Sequence, residues 1–160
     1  MEHTKVYFAS PLFSSMELRY NAWLCDSIRQ LYPTLDVYLP QEQGDINDKN
    51  AYADSMMIAK IDTDALLASK LLIAVLDGLV VDPGVASEIG VAYQAGIPII
   101  GLYTDSRQQG SDVQAKLDAL GVIAESQFSY VNLYTAGLIK LNGEIVNSES
   151  LLLEQIGKYI

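Results

Sequence analysis

One cysteine and one histidine among 160 residues close off several chemistries at once. Cys25 has no partner for an intrachain disulfide, which fits a reducing cytoplasmic setting, and it reads as a packing residue in a helix. His3 lies at the start of the chain, so a Ser–His or Cys–His nucleophile pair has no base to draw on. No His/Cys cluster has the spacing of a zinc site. There is no P-loop and no G-x-G-x-x-G after a strand, so neither metal nor cofactor is expected. Basic residues are scarce: 10 Lys and Arg stand against 20 Asp and Glu, a net charge of −10. That balance argues against nucleic-acid partners and against strongly anionic substrates. No apolar run reaches the ~20 residues that span a bilayer. The opening Met1-Glu-His-Thr-Lys has no signal-peptide pattern, so neither membrane nor export is expected.

Apolar residues and carboxylates are what the chain has. Half of the residues are hydrophobic, enough for a single folded domain over residues 1–160. Catalysis, if present, would be carboxylate chemistry on a neutral or weakly charged molecule.

The stretch from Lys70 to Gly101 organises the rest. Two apolar runs of strand length, Leu71 to Leu76 and Ile97 to Gly101, flank a segment with helical spacing. Asp82 is placed as N-cap of that helix, Pro83 at its first position and Gly96 just past its end. The result is a βαβ unit with a buried parallel strand at each end. At ~100° per residue, Val85, Ile89, Val91, Ala92 and Ala95 form the apolar arc, with Ser87, Gly90 and Gln94 opposite. Glu88 falls inside that arc, where a carboxylate is costly to bury and its pKa should shift. Gly84, Ala92 and Ala95 leave room for another molecule to approach it. The plainer alternative is a Glu at the edge of the stripe, reaching past small residues to water.

The remaining segments alternate. Lys5 to Ala9 reads as a first strand, and a helix capped by Ser14 or Ser15 runs to about Leu31. Asp36 to Leu39 reads as a second strand, Gln41 to Asn50 as a long polar loop, and Ala51 to Ala68 as a helix. Beyond Gly101 come a polar loop (Thr104 to Gly110) and a helical stretch from Ser111 to Leu120. A weaker strand or extended piece around Ser129 to Val131, a short helix from Leu133 to Leu141 and a last helix from about Ser148 follow. This pattern predicts an α/β fold, a flavodoxin-like doubly wound parallel sheet of four or five strands in order 2-1-3-4-5, helices on both faces. The ligand crevice of that order lies between the carboxyl ends of strands one and three, where Tyr7 and Glu88 converge.

Tyr7-Phe8 with Phe13 in the following loop, Asp62, the block Asp82-x-Gly84-x-x-x-Glu88-x-Gly90-x-Ala92, and Asn132-Leu133-Tyr134 ahead of Gly137 together resemble the nucleoside 2-deoxyribosyltransferase family. The resemblance runs from Val6 to about Gly137. It implies that Glu88 is a nucleophile positioned by Tyr7 and that Asp62, with Asp64 as the alternative, is proton donor to the leaving base. Asp82 and a neighbouring subunit's Asn132 would hold the sugar hydroxyls. Phe13, Gly84 and Tyr134 would line the substrate site, and Gln41 or Gln43, here Gln43, would read the base. Some members carry methionine where Tyr134 stands. The resemblance also implies a homo-oligomer, hexamer or dimer, with shared active sites, made denser in apolar contact by Phe128 to Tyr134.

The implied activity is transfer of a 2-deoxyribosyl group from a deoxyribonucleoside to a free nucleobase by double displacement through a glycosyl-glutamate. Cleavage passes through an oxocarbenium-like transition state that a carboxylate can stabilise and then trap, while a second carboxyl group protonates the leaving base. A 2′-deoxynucleoside 5′-phosphate N-glycosidase, with water as acceptor, is the first alternative. Against it, the loop after strand one offers Ser10, Ser14 and Ser15 but no glycine, and its nearest cation is Arg19. A non-catalytic nucleotide-binding module on the same fold is the second, and it would need no nucleophile at position 88.

Overall fold

The computed structural model describes residues 3–44, 50 and 52–160. Five parallel strands, β1 (Thr4–Ala9), β2 (Leu35–Tyr38), β3 (Leu71–Val75), β4 (Ile99–Leu102) and β5 (Gly143–Val146), form one sheet in the order β2-β1-β3-β4-β5. Among the described residues the helices referred to below are α1 (Ser15–Leu31), α2 (Ser55–Leu67), α3 (Pro83–Gln94), α4 (Gln114–Asp118), α5 (Leu133–Leu141) and α6 (Glu149–Ile156). This is the α/β, flavodoxin-like architecture that the alternation of apolar runs and helical periods predicts. Among the described residues no helix is long and apolar enough to cross a membrane.

The period of two along each strand divides the core. Val6 and Phe8 of β1 and Leu71, Ile73 and Val75 of β3 pack with Leu24, Cys25 and Ile28 of α1 and with Leu152 and Ile156 of α6. Tyr7, Ala9, Leu72 and Ala74 point the other way, against Ala65 and Leu66 of α2, Val85, Ile89 and Ala92 of α3, and Ile139 of α5. Cys25 is fully buried, and desolvation pushes its thiol up to about 12, so it packs as an apolar side chain. Tyr7 therefore faces α3 because its odd-numbered neighbours do; its direction is a consequence of strand geometry.

Helix punctuation follows local chemistry. Ser14 caps α1 in a reciprocal capping box with Glu17, Asp82 caps α3 ahead of Pro83, and Gly96 takes φ +72° just beyond α3. Asp54 caps α2, which begins at Ser55; the expected start at Ala51 and part of the loop from Gln41 to Asn50 lie outside the described residues. Within that loop, Pro40–Glu42 forms a single 3-10 turn.

Three expectations need correction. Ser129 to Val131 carries no regular secondary structure and pairs with no strand, and the fifth strand is Gly143–Val146. The helix expected over 111–120 contracts to α4 followed by a 3-10 turn at Ala119–Gly121. On α3, Val85, Ile89 and Ala92 are buried, but Val91 is half-buried and Ala95, at the C-cap, is exposed. The stripe is narrower than expected because the helix ends at Gln94, and Glu88 stands at its border.

Candidate active site

A cavity of about 310 Å³ lies where the chain leaves β1 and β2, walled by α2 and the first turns of α3, rather than between the carboxyl ends of β1 and β3. Its acid groups are Asp62 from α2, Asp82 at the cap of α3, and Glu88 one and a half turns along α3. Phe13 and Leu12 from the β1–α1 loop, Ile58 of α2 and Val85 give it apolar walls, and Gly84 leaves its floor open. Tyr7, Asp62, Asp82, Gly84, Phe13 and Glu88 are thus brought to one place. Phe13 is 79% exposed, a ring standing over the opening rather than packed in the core.

Glu88 is half-buried, and one of its oxygens is held: the Tyr7 hydroxyl donates to Oε1 at 2.6 Å. Among the described residues nothing else bonds to this carboxylate, so the second oxygen is uncommitted. Desolvation raises the Glu88 pKa to about 7, the Tyr7 hydrogen bond opposes that rise, and the charges of Asp62 and Asp82 add to it. Tyr7, fully buried, is pushed far above the ordinary phenol range by desolvation and by the carboxylate it serves, so it stays a donor.

Asp62 is also raised, by burial, against a hydrogen bond from the Tyr38 hydroxyl to its Oδ1 at 3.1 Å. Desolvation and the Asp62 charge raise Tyr38 in turn. The parallel register sets Tyr7 opposite Tyr38, and the two rings stack with centroids 5.1 Å apart. Each of the two carboxyl groups is thereby held by one tyrosine of a stacked pair. Tyr38 escapes sequence reasoning because its link to Asp62 arises from strand register; its place as the last residue of a strand ending at the crevice was the available signal. Asp64, the alternative to Asp62, is on the exposed face, paired with Lys60. Asp82 Oδ2 accepts from the Val85 N–H at 3.1 Å, so the acid that lines the cavity also caps the helix.

Three expected substrate residues lie elsewhere. Asn132 is exposed and caps α5, its Oδ1 accepting from the N–H groups of Tyr134 and Thr135. Tyr134, 78% exposed, lines a shallow groove with Ser87 and Tyr93 on another side of α3. Gln43 donates to the Leu39 carbonyl and does not line the cavity, while Gln41 is held between Asn21 and the Leu18 carbonyl.

A family model for nucleoside 2-deoxyribosyltransferase matches residues 6–134. The chain belongs to this family. A conserved protein from Enterococcus faecalis V583 has a solved structure 64% identical in sequence, covering 99% of each chain with a TM-score of 0.94. Two more distant structures share the fold. One is the 2-deoxyribosyltransferase of Bacillus psychrosaccharolyticus, 17% identical over 94% of this chain and 90% of that one, with a TM-score of 0.65. The other is the CMP N-glycosidase of Clostridium botulinum, 21% identical over 98% and 100%, with a TM-score of 0.51. No curated protein matches the chain in sequence. The deoxyribosyltransferase-family match spans every element that builds the cavity, from β1 through α3, and reaches Asn132 and Tyr134.

Proposed function

We propose that this member of the deoxyribosyltransferase family moves a 2-deoxyribosyl group between nucleobases, with Glu88 as nucleophile. The observation that carries the reading is a carboxylate with one oxygen fixed by Tyr7 and the other free, facing a cavity that also holds Asp62. In the first displacement a Glu88 oxygen bonds to C1′ and the N-glycosidic bond breaks, its electron pair leaving with the base. Asp62 gives the base nitrogen its proton. In the second, a nitrogen of the incoming base attacks C1′, the Glu88 ester bond breaks, and Asp62 takes the proton back. Two inversions give net retention.

Burial supports both roles. It lifts Asp62 toward the range in which a carboxyl group carries a proton to donate. It also holds Glu88 near neutrality, where an appreciable fraction is ionised and poorly solvated, hence nucleophilic. Asp82 would accept from a sugar hydroxyl through the oxygen that does not cap α3. Asn132 and Tyr134, too far around the surface to line the same cavity, would serve the site of a neighbouring copy.

Incubation with deoxyinosine and adenine tests the reading. Transfer yields deoxyadenosine and hypoxanthine. Hypoxanthine with free deoxyribose would make water the acceptor, and no product from either reaction would leave a binding module.

A further inference from the structure

The phenol of Tyr38 is a polar group that packing alone does not ask for. Its buried ring shares a core cluster with Ala65 and Leu66 of α2, stacks on Tyr7, and has Lys5 Nζ 5.3 Å from its centroid. A phenylalanine would make the same contacts. The hydroxyl adds a group that needs a partner once it is buried, and its partner is Asp62 Oδ1.

Asp62 is placed with equal care. On α2 it shares a stripe with Ile58, Ala65 and Leu66, three or four residues apart, so the helix turns it inward. Among the described residues Tyr38 alone donates to Asp62, and it engages one oxygen. Oδ2 is left for the cavity that Asp62 shares with Glu88. Tyr38 does not line that cavity, so it can act on a substrate only through Asp62.

We propose that Tyr38 is a positioning residue: its hydroxyl fixes Asp62 Oδ1 so that Oδ2 carries the proton given to the leaving base. This rests on the deoxyribosyl-transfer reading and extends its acid catalysis beyond the cavity wall. When Oδ2 releases its proton to the base nitrogen, the charge left on the carboxylate meets a hydrogen bond already in place. Asp62 is thereby a stronger acid than burial alone would make it, in keeping with the opposed effects of burial and of Tyr38 on its pKa. The other titratable and charged groups around the pair are Lys5 and Tyr7 of β1 and Asp82 and Glu88 of α3. None of them bonds to Asp62, so removing the Tyr38 hydroxyl tests a single bond.

Tyr38→Phe keeps the ring and its stack. With hypoxanthine as acceptor, kcat/KM for deoxyadenosine, whose base must be protonated, is compared with that for 7-methyl-2′-deoxyguanosine, whose cationic base needs no proton. The comparison covers the wild type, Tyr38→Phe, Asp62→Asn and the double variant. Tyr38→Phe should lose at least about tenfold with deoxyadenosine and less than about twofold with the methylated nucleoside. The limb of the deoxyadenosine pH profile that the methylated nucleoside lacks belongs to Asp62. It should move to higher pH, because the ionised carboxyl has lost its donor. In the Asp62→Asn background, Tyr38→Phe should change the rate by less than about twofold. Equal losses with the two substrates, an unmoved limb, or losses that multiply in the double variant would overturn the proposal and leave Tyr38 as a packing residue. Free deoxyribose in place of transferred sugar would sink the transfer reading alone, since the leaving base is protonated in the same way and the ratio still decides the role of Tyr38. If the wild type releases no base from either substrate, both fall.

Discussion

Glu88 and Tyr7 form the smallest unit that accounts for the site. As the proposed nucleophile, Glu88 must be ionised, and its pKa of about 7 sets an acid limb: kcat/KM should rise with pH up to about 7 and then level off. The causes of the shift predict how the limb moves. Tyr7→Phe removes the hydrogen bond that favours the carboxylate, so the limb should move to higher pH and the rate fall. Asp62→Asn removes a charge that disfavours it, so the limb should move lower. The measurement should use 7-methyl-2′-deoxyguanosine, whose cationic base leaves without a proton. With ordinary nucleosides Asp62→Asn should lose more rate, because their bases need the donor. A limb that stays in place in both variants would detach it from Glu88. This pair was legible in the sequence because two simple periods, two for β1 and 3.6 for α3, aim both residues at one crevice. Tyr38 was not, since only pairing in register brings it beside Tyr7 and within reach of Asp62.

The element that matters most is α3, whose cap and whose chemistry share Asp82. Asn caps a helix about as well as Asp, whereas Ala forfeits about 1 kcal/mol. Asp82→Asn should therefore melt within about 2 °C of the wild type, while Asp82→Ala should lose several degrees. If the other oxygen of Asp82 holds the sugar, both variants should lose about tenfold or more in kcat/KM, despite their different stabilities. Melting curves and kinetics on the same preparations decide this; activity that tracks stability would reduce Asp82 to a cap. The cap at Asp82, Pro83 and Gly96 could be placed from the sequence, and the cap of α1 narrowed to Ser14 or Ser15, because each acts locally. β5 could not. It is four residues long, mostly half-buried, begins at Gly143 and includes Glu144. Its identity as a strand comes from pairing with β4, where a Cβ at Gly143 would overlap the backbone of Ile99. The apolar segment from Phe128 to Val131 resembles a strand more closely in composition, yet finds no sheet partner.

At the scale of the whole molecule, the site is built by one side of the chain while Asn132 and Tyr134 stand on another. Tyr130, Leu133 and Tyr134 are each at least 78% exposed, and such a concentration of exposed aromatic and aliphatic area suits contact with a second copy. Shared sites make a specific prediction. Glu88→Ala and Asn132→Ala subunits, each inactive alone, should recover part of the activity when mixed under conditions that allow exchange. Mixtures that stay inactive at every ratio would make each site self-contained and leave Asn132 as the cap of α5. The order of the sheet was legible from alternation alone, but where Asn132 lies relative to Glu88 was not, because loop paths between α3 and α5 carry no periodic signal.

The central claim is a covalent bond between the sugar and Glu88, and its most direct measurement is mass spectrometry of the protein quenched with a 2-fluoro-2-deoxy nucleoside. The fluorine disfavours the oxocarbenium-like transition state, so the second displacement slows and the intermediate accumulates. One fluorodeoxyribosyl group per chain should appear on the peptide containing Glu88 and disappear in Glu88→Gln. An adduct on another residue, or no adduct together with near wild-type turnover in Glu88→Ala, would contradict the account.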